Sequence, residues 1–240
     1  MYIFVIGVSF FVVVWALMLV LVPQSRKPVM WASLGCGAAG PISEYWHRRD
    51  YWHPTYLYKI EIGNWVFDIE DYVFAFVFGG ICAGTFDIIY RRTHSEPAMQ
   101  IDTWGGYYRL TNLGVVCVAT LFFLIDGLGI NSLYAISLVF LVCTVVILYR
   151  RPEWILSTLM TAVVMAILMW VFYWGFYLRL FPGLIAEWWR PDALSGIAFL
   201  GVPVEEIIWA GAGALFGGPV LRIFMNPIAA GMNSKLSSAV

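Results

Sequence analysis

Two adjacent acids appear twice in apolar surroundings, as Asp68-Ile69-Glu70-Asp71-Tyr72 and as Pro203-Val204-Glu205-Glu206-Ile207. Charge inside an apolar run is costly and is functional by default. In low dielectric, a carboxyl crowded by a like charge favours its neutral form. One acid can then give a proton to an apolar substrate while another takes one back. Aromatic neighbours stabilise a cation formed in between. That combination suits protonation of an alkene followed by loss of a proton elsewhere. The plainer reading is helix capping, because carboxylates in a first turn complement the macrodipole and Pro203 suits a helix start. One acid is enough for a cap; two adjacent acids, repeated, ask for more.

The repetition extends upstream. Asp50-Tyr51-Trp52-His53-Pro54 matches Glu187-Trp188-Trp189-Arg190-Pro191, each an acid, an aromatic, Trp, a base and Pro. Between motif and acids lie Leu57, Ile60 and Gly63 in one copy and Leu194, Ile197 and Gly201 in the other, the first copy carrying two extra residues. Downstream, Glu70 stands one turn from Phe74, and Glu205 one turn from Trp209. Asp71 heads a stripe of Ala75, Gly79 and Cys82; Glu206 heads Ala210, Gly213, Ala214 and Gly217. Such stripes either pack helices closely or leave a groove for a flat ligand.

The elements that must position these residues are membrane helices. Of 240 residues, 61% are hydrophobic and 12% charged, against about 25% charged in an average soluble domain. A span needs roughly 20 apolar residues. The expected spans are 2–22, 30–46, 68–90, 107–126, 131–149, 155–178 and 201–222, the second interrupted by Gly35, Gly37, Gly40 and Pro41. The first lacks a basic leader and a cleavage site and reads as an uncleaved helix. The fold class is thus all-α integral membrane, with about seven helices. An even number of helices separates the two acidic pairs, so the copies point the same way, as a parallel repeat. The expected units are 1–92, a linker helix over 93–130, and 131–240.

With these motifs on the page, the chain resembles the flavin-independent carotenoid (lycopene) cyclases of the membrane type, in their fused form. The resemblance covers 44–90 and 180–222. It implies ring closure at the end of a linear carotenoid, with no net redox change and no cofactor. The family's acidic motif falls on Glu70, Asp71, Glu205 and Glu206, which it makes catalytic; its tryptophan-proline motif falls on Trp52-Pro54 and Trp189-Pro191. Substrate-facing residues by this reading are Trp52, Phe74, Trp189 and Trp209, with Trp170 and Trp174 from the aromatic run 170–177. The chain departs from the pattern at Asp68, where Pro is usual, and at Trp209, where Phe is common. The implied partners are a long apolar polyene and membrane lipid, with room for association with other carotenoid enzymes. A related family of carotenoid hydratases quenches a similar cation with water, and a proton-coupled transporter is the rival from another class.

Other signals are weaker. Glu44, His47, Asp50 and His53 have ligand chemistry, but their six-residue offset spreads them over different helix faces and Arg190 replaces His53 in the second copy; no metal is expected. An interfacial aromatic belt explains the run as well. A retinal Schiff base needs a lysine within a helix, and Lys27, Lys59 and Lys235 read as loop or tail residues. No GxGxxG follows a strand, so neither flavin nor nicotinamide is expected. A net charge of −1 gives no footprint for nucleic acid. Cys36, Cys82, Cys117 and Cys143 read as buried thiols, and His94 as solvated beside Arg91 and Arg92.

Basic residues set the expected orientation. With the N-terminus outside, the inner side collects Arg26, Lys27, Arg91, Arg92, Arg109, Arg150, Arg151, Arg222 and Lys235, nine of the 14 Lys and Arg. A reporter fused to the C-terminus is therefore expected to be active only in the cytoplasm; activity on the outer side alone would reverse the assignment.

Overall fold

The computed structural model describes residues 2–63, 65–94 and 103–225; Lys235 and the C-terminal tail lie outside them. The long helices are α1 (Ile3–Leu21), α2 (Arg26–Asp50), α3 (Ile69–Thr93), α4 (Thr103–Phe122, continued by a π-turn to Gly127), α5 (Ser132–Arg150) and α6 (Ile155–Phe172, continued by a π-turn over Tyr173–Tyr177). Single-turn α7 (Leu178–Leu180) and short α8 (Leu184–Trp188) lead to α9 (Val204–Gly217) and α10 (Val220–Met225). Five helical runs are long and apolar enough to cross a membrane: Ile3–Leu21, Ile69–Thr93, Ser132–Arg150, Pro152–Leu180 and Val204–Arg222. Thr111–Gly127 is a shorter apolar helix. Val13, Leu17 and Val20 on α1, Val145 and Tyr149 on α5, and Leu156, Leu159 and Val163 on α6 all face outward. In water so broad an apolar surface would be a liability; in lipid it is the required one. The chain is an all-α, multi-pass membrane protein.

Three local features differ from the sequence expectations. First, α2 runs unbroken through Pro41 to Asp50, so Lys27 opens a helix rather than sitting in a loop. The glycines that looked like interruptions are contact points: a Cβ at Gly37 would press on Tyr72, and one at Gly40 would strike Ala75. The Pro41 carbonyl accepts the Trp65 indole N–H at 2.7 Å. Second, the expected span 201–222 begins only at Val204 and breaks at Gly218-Pro219, where the proline has no N–H to continue the ladder. Third, each acidic helix is preceded by an antiparallel hairpin, β1 (Lys59–Ile62) with β2 (Trp65–Asp68), and β3 (Ala198–Phe199) with β4 (Val202–Pro203). Ile62 pairs with Trp65 and Phe199 with Val202, closing two-residue turns. The second turn holds Leu200 and Gly201 at φ 51 and 88, the pair of positive angles that a type I′ turn needs. The two extra residues of the first copy lengthen its second strand, four residues against two.

The same order of parts appears twice. Helices α1 and α2 are joined by a 3₁₀ turn over Pro23–Ser25, and α5 and α6 by one over Pro152–Trp154. In each set the first two helices pack on the third, α3 or α9. That order supports the duplication read from the motifs.

Helices α3 and α9 meet at equivalent positions, 135 residues apart. Phe74 faces Trp209 (centroids 6.3 Å apart), Phe78 would touch a Cβ on Gly213, and Cys82 would touch one on Gly217. Farther along, Asp87 accepts from Arg222 Nη1 at 3.1 Å, both side chains 3% exposed. Contacts that advance in step along both chains mean parallel helices in register. The small stripes thus serve close packing, since Gly79 likewise admits Cys36 and Ala32 of α2. Ser25 Oγ and Arg91 Nε complete the partners of Asp87.

This register is open to a direct check. An ideal Cβ on Gly217 lies 3.5 Å from Cys82 Cβ, within the range of about 3.5–4.5 Å that a disulfide spans. Gly217→Cys is expected to form a disulfide with Cys82 under a membrane-permeant oxidant. Cleavage between α5 and α6 should then leave two fragments linked until reduction, whereas separate fragments would rule out the parallel register.

Candidate active site

The two tryptophan motifs bind each other. Trp52 and Trp189 form an antiparallel bridge, in which the His53 N–H donates to the Trp188 carbonyl (2.7 Å) and the Arg190 N–H to the Tyr51 carbonyl (2.9 Å). Under the motif alignment each bond is the image of the other, so a local two-fold axis passes between the tryptophans. Their rings meet edge to face, centroids 4.3 Å apart. Partial burial, with Arg190 and Arg48 nearby, pulls the His53 imidazole below its ordinary range.

Around that bridge lies the second copy's site. Glu206, in the first turn of α9, is buried. Its Oε1 accepts from Trp189 Nε1 at 2.8 Å and its Oε2 from the Tyr173 hydroxyl at 2.9 Å. Both donors stand in the aromatic cluster that includes Trp52, Trp188, Tyr177 and Phe4. Glu205 takes different partners. Its Oε1 accepts the Ser195 backbone N–H at 2.7 Å and the Tyr134 hydroxyl at 3.0 Å, which ties the loop before β3 and the start of α5 to α9. Its Oε2 is buried without a partner.

The first copy is built otherwise. Asp68 caps α3: its Oδ1 accepts the Asp71 N–H at 2.8 Å, and Asp71 Oδ2 accepts the Asp68 N–H at 3.2 Å, a reciprocal capping box. Pro203, the counterpart of Asp68, has no such side chain. Glu70 is 4% exposed, and among the described residues neither carboxyl oxygen has a hydrogen-bond partner. Glu44 of α2 lies within electrostatic reach of Asp71 and accepts the Tyr56 hydroxyl. Burial and the Glu44 carboxylate hold the Tyr56 phenol far above its ordinary range, so it remains a donor.

Of the expected substrate-facing aromatics, the structure brings Trp52, Phe74, Trp189 and Trp209 into one cluster. Trp209 lies tilted against Phe78 with centroids 5.2 Å apart, its indole N–H buried without a hydrogen-bond partner among the described residues. Trp170 and Trp174 pack against the same cluster, half-buried and stacked on each other at 5.8 Å, with Arg179 over Trp174. The inward face of the run 170–177 is Phe172, Tyr173 and Tyr177. A small aromatic-walled pocket lies beside Trp52 and Phe74, closed by Phe4, Phe11, Phe172 and Tyr177, with Gly7 leaving the room. None of the four acids forms its wall. A shallow apolar groove runs on the lipid side between α5, α6 and α9, lined by Leu138, Leu141, Ala166, Ile208 and Gly211.

Sequence reasoning missed Tyr173, Tyr134, Tyr56 and the use of Glu44, all of which touch the acids only through tertiary contacts. The acid-aromatic-His run is dispersed: His47 meets Ser132 Oγ at 2.9 Å, and Asp50 accepts the Ser132 N–H at the start of α5. Among the described residues no three metal-ligating side chains converge. His94 is not free in a loop but caps α3, stacked on Tyr90 at 4.2 Å.

Residues 131–224 match the family model described as lycopene cyclase. The match runs from α5 to α10 and includes Trp189, Pro191, Glu205, Glu206 and Trp209, and it supports a lycopene cyclase family for the chain. No curated protein and no solved structure matches it.

The bonds to Glu206 predict the cost of removing their donors. Trp189→Phe keeps a ring against Trp52, and Tyr173→Phe keeps the ring outright; each leaves one carboxylate oxygen bare. A hydrogen bond to a charged group is worth about 1.5–3 kcal/mol. Thermal unfolding in detergent should show each variant lower in Tm than the parent, and a Tm equal to the parent's in both would mean these bonds do not hold the carboxylate.

Proposed function

We propose that this chain is a membrane carotenoid cyclase that closes a cyclohexene ring at the end of a linear, lycopene-like carotenoid. The observation that carries the reading is a buried carboxylate, Glu206, held by an indole and a phenol inside an aromatic cluster where both tryptophan motifs meet. The family match over the same residues supports it. The reaction is an isomerisation. An acid O–H protonates the terminal double bond, its π pair forming the new C–H bond. The π pair of an internal double bond then closes the ring onto the cation. Finally a ring C–H gives up its proton to a carboxylate, and that pair becomes the ring double bond. No electron leaves the substrate, so the steps balance without an oxidant or reductant.

Carboxyls from both copies share this work, at the same end of two parallel helices. The rings of Trp52, Trp189, Tyr173 and Tyr177 offer π faces to the cation, each contact worth about 0.5–2 kcal/mol depending on desolvation. The same rings exclude the water that would otherwise quench the cation to an alcohol. The lipid-side groove begins one turn from Glu205, at Leu138 and Ile208, and offers hydrocarbon access from the bilayer. A polyene with a hydrocarbon-core length of roughly 30 Å reaches a site at one membrane surface with one end at a time.

Expression in a lycopene-accumulating host, with chromatography of the pigments, tests the reading. Cyclised carotenoid is the expected product; a hydroxylated linear carotenoid would indicate a hydratase, and unchanged pigment a non-enzymatic role such as transport. Glu70→Gln should lower cyclised product at least ~100-fold, the low end of general acid–base contributions. Trp209→Leu should lower it less, by the loss of one π face. Parent-level product from folded Glu70→Gln would leave the acid without a catalytic part.

A further inference from the structure

The two acidic pairs are equivalent in sequence but not in surroundings. In the first copy the second acid, Asp71, is occupied: it closes the capping box with Asp68 at the start of α3. The first acid, Glu70, has both oxygens buried and, among the described residues, no hydrogen-bond partner. In the second copy the occupancy is reversed. The first acid, Glu205, holds the Ser195 backbone and the Tyr134 hydroxyl. The second, Glu206, points both oxygens at the Trp189 and Tyr173 donors in the aromatic cluster.

We propose that the working pair is crossed: Glu70 of the first copy is the proton donor, Glu206 of the second is the proton acceptor, and Asp71 and Glu205 position their helices. This assignment rests on the cyclase reading and divides its labour. The argument is one of hydrogen-bond capacity. An ionised carboxylate is an acceptor only, with lone pairs to be filled. Glu206 has one donor on each oxygen and a remaining lone pair on each, which is the pattern of a proton acceptor already oriented. Glu70 has no protein group competing for its proton, and a buried carboxyl with no partner is costly unless something else meets it. An alkene that takes its proton is such a group. Asp71 and Glu205 each bond a backbone N–H, so their loss frees a helix start or a loop rather than a reacting atom. After each turnover Glu206 carries an added proton and Glu70 lacks one; exchange with water at the membrane surface restores both.

Isotope incorporation separates the roles. The experiment uses the full-length protein in membranes, lycopene as substrate, and deuterated water. The parent should place deuterium on the ring it forms. Folded Glu70→Gln should lose cyclised product and deuterium incorporation together, each at least ~100-fold. Glu206→Gln should lose cyclised product to the same extent while deuterium still enters the linear carotenoid or a hydrated derivative, because protonation persists and reverses or is quenched. Asp71→Asn and Glu205→Gln should lower the amount of folded protein, with turnover per folded molecule falling at most about tenfold. The assignment is overturned if Glu206→Gln abolishes deuterium entry, if Glu70→Gln retains it, or if Glu205→Gln costs as much turnover per folded molecule as Glu206→Gln. A parent that forms no ring from lycopene would instead fail the cyclase reading, so the two failures are distinguishable.

Discussion

On a two-fold axis every residue faces its own counterpart, and that constraint governs the seam between α3 and α9. Identical large side chains would collide there, and identical charges would repel in a medium with little water to screen them. Beyond the Phe74–Trp209 stack, the chain meets the constraint by divergence. Phe78 faces Gly213, Cys82 faces Gly217, and Asp87 faces Arg222. Large meets small, and acid meets base. The buried ion pair shows the principle most clearly, because removing one member of such a pair costs about 3–5 kcal/mol. Either copy paired with itself would put Asp against Asp or Arg against Arg. The seam therefore specifies the first copy against the second and fixes the register that carries both acidic pairs to one end.

Much of this was legible in the sequence because it is local or repeated. The helical runs follow from apolar length, and the tryptophan motif and acidic pair from their recurrence. What was not legible depends on which face of an element turns inward. The run 170–177 is aromatic on all sides, so its periodicity does not separate the half-buried Trp170 and Trp174 from the buried Tyr173 and Tyr177. The π-turn over Tyr173–Tyr177 rotates that choice further. Tyr134 and Glu44 bond acids and loops far away in sequence, and no spacing rule reaches them. The hairpins were hidden because their strands are two to four residues long, and only Gly63 and Gly201 at positive φ betray the turns.

The four acids differ in what they hold, and capping accounts for only part of them. Asp68 and Asp71 are bound into the box that starts α3. Where Pro203 replaces Asp68, no box can form, and its fixed backbone angle starts the helix instead. Glu206 is thereby released from the backbone and turns to the Trp189 and Tyr173 donors. A single exchange at the cap position thus alters what the second acid of the pair touches.

The same divergence accounts for where the family resemblance concentrates. The lycopene cyclase match covers only the second copy, 131–224. The first copy has an acid at the cap, a hairpin strand two residues longer, and Glu44 drawn in from α2 beneath Tyr56. Those differences lie in and around the acidic motif and leave the parallel packing of α3 and α9 in place. Two copies are free to diverge in this way because they always meet in one chain. Each half keeps the helix that presents an acid, and each adapts the polar surroundings of that acid independently. The seam thus joins two halves whose acids stand in different polar surroundings, and the proposed division into donor and acceptor depends on that asymmetry.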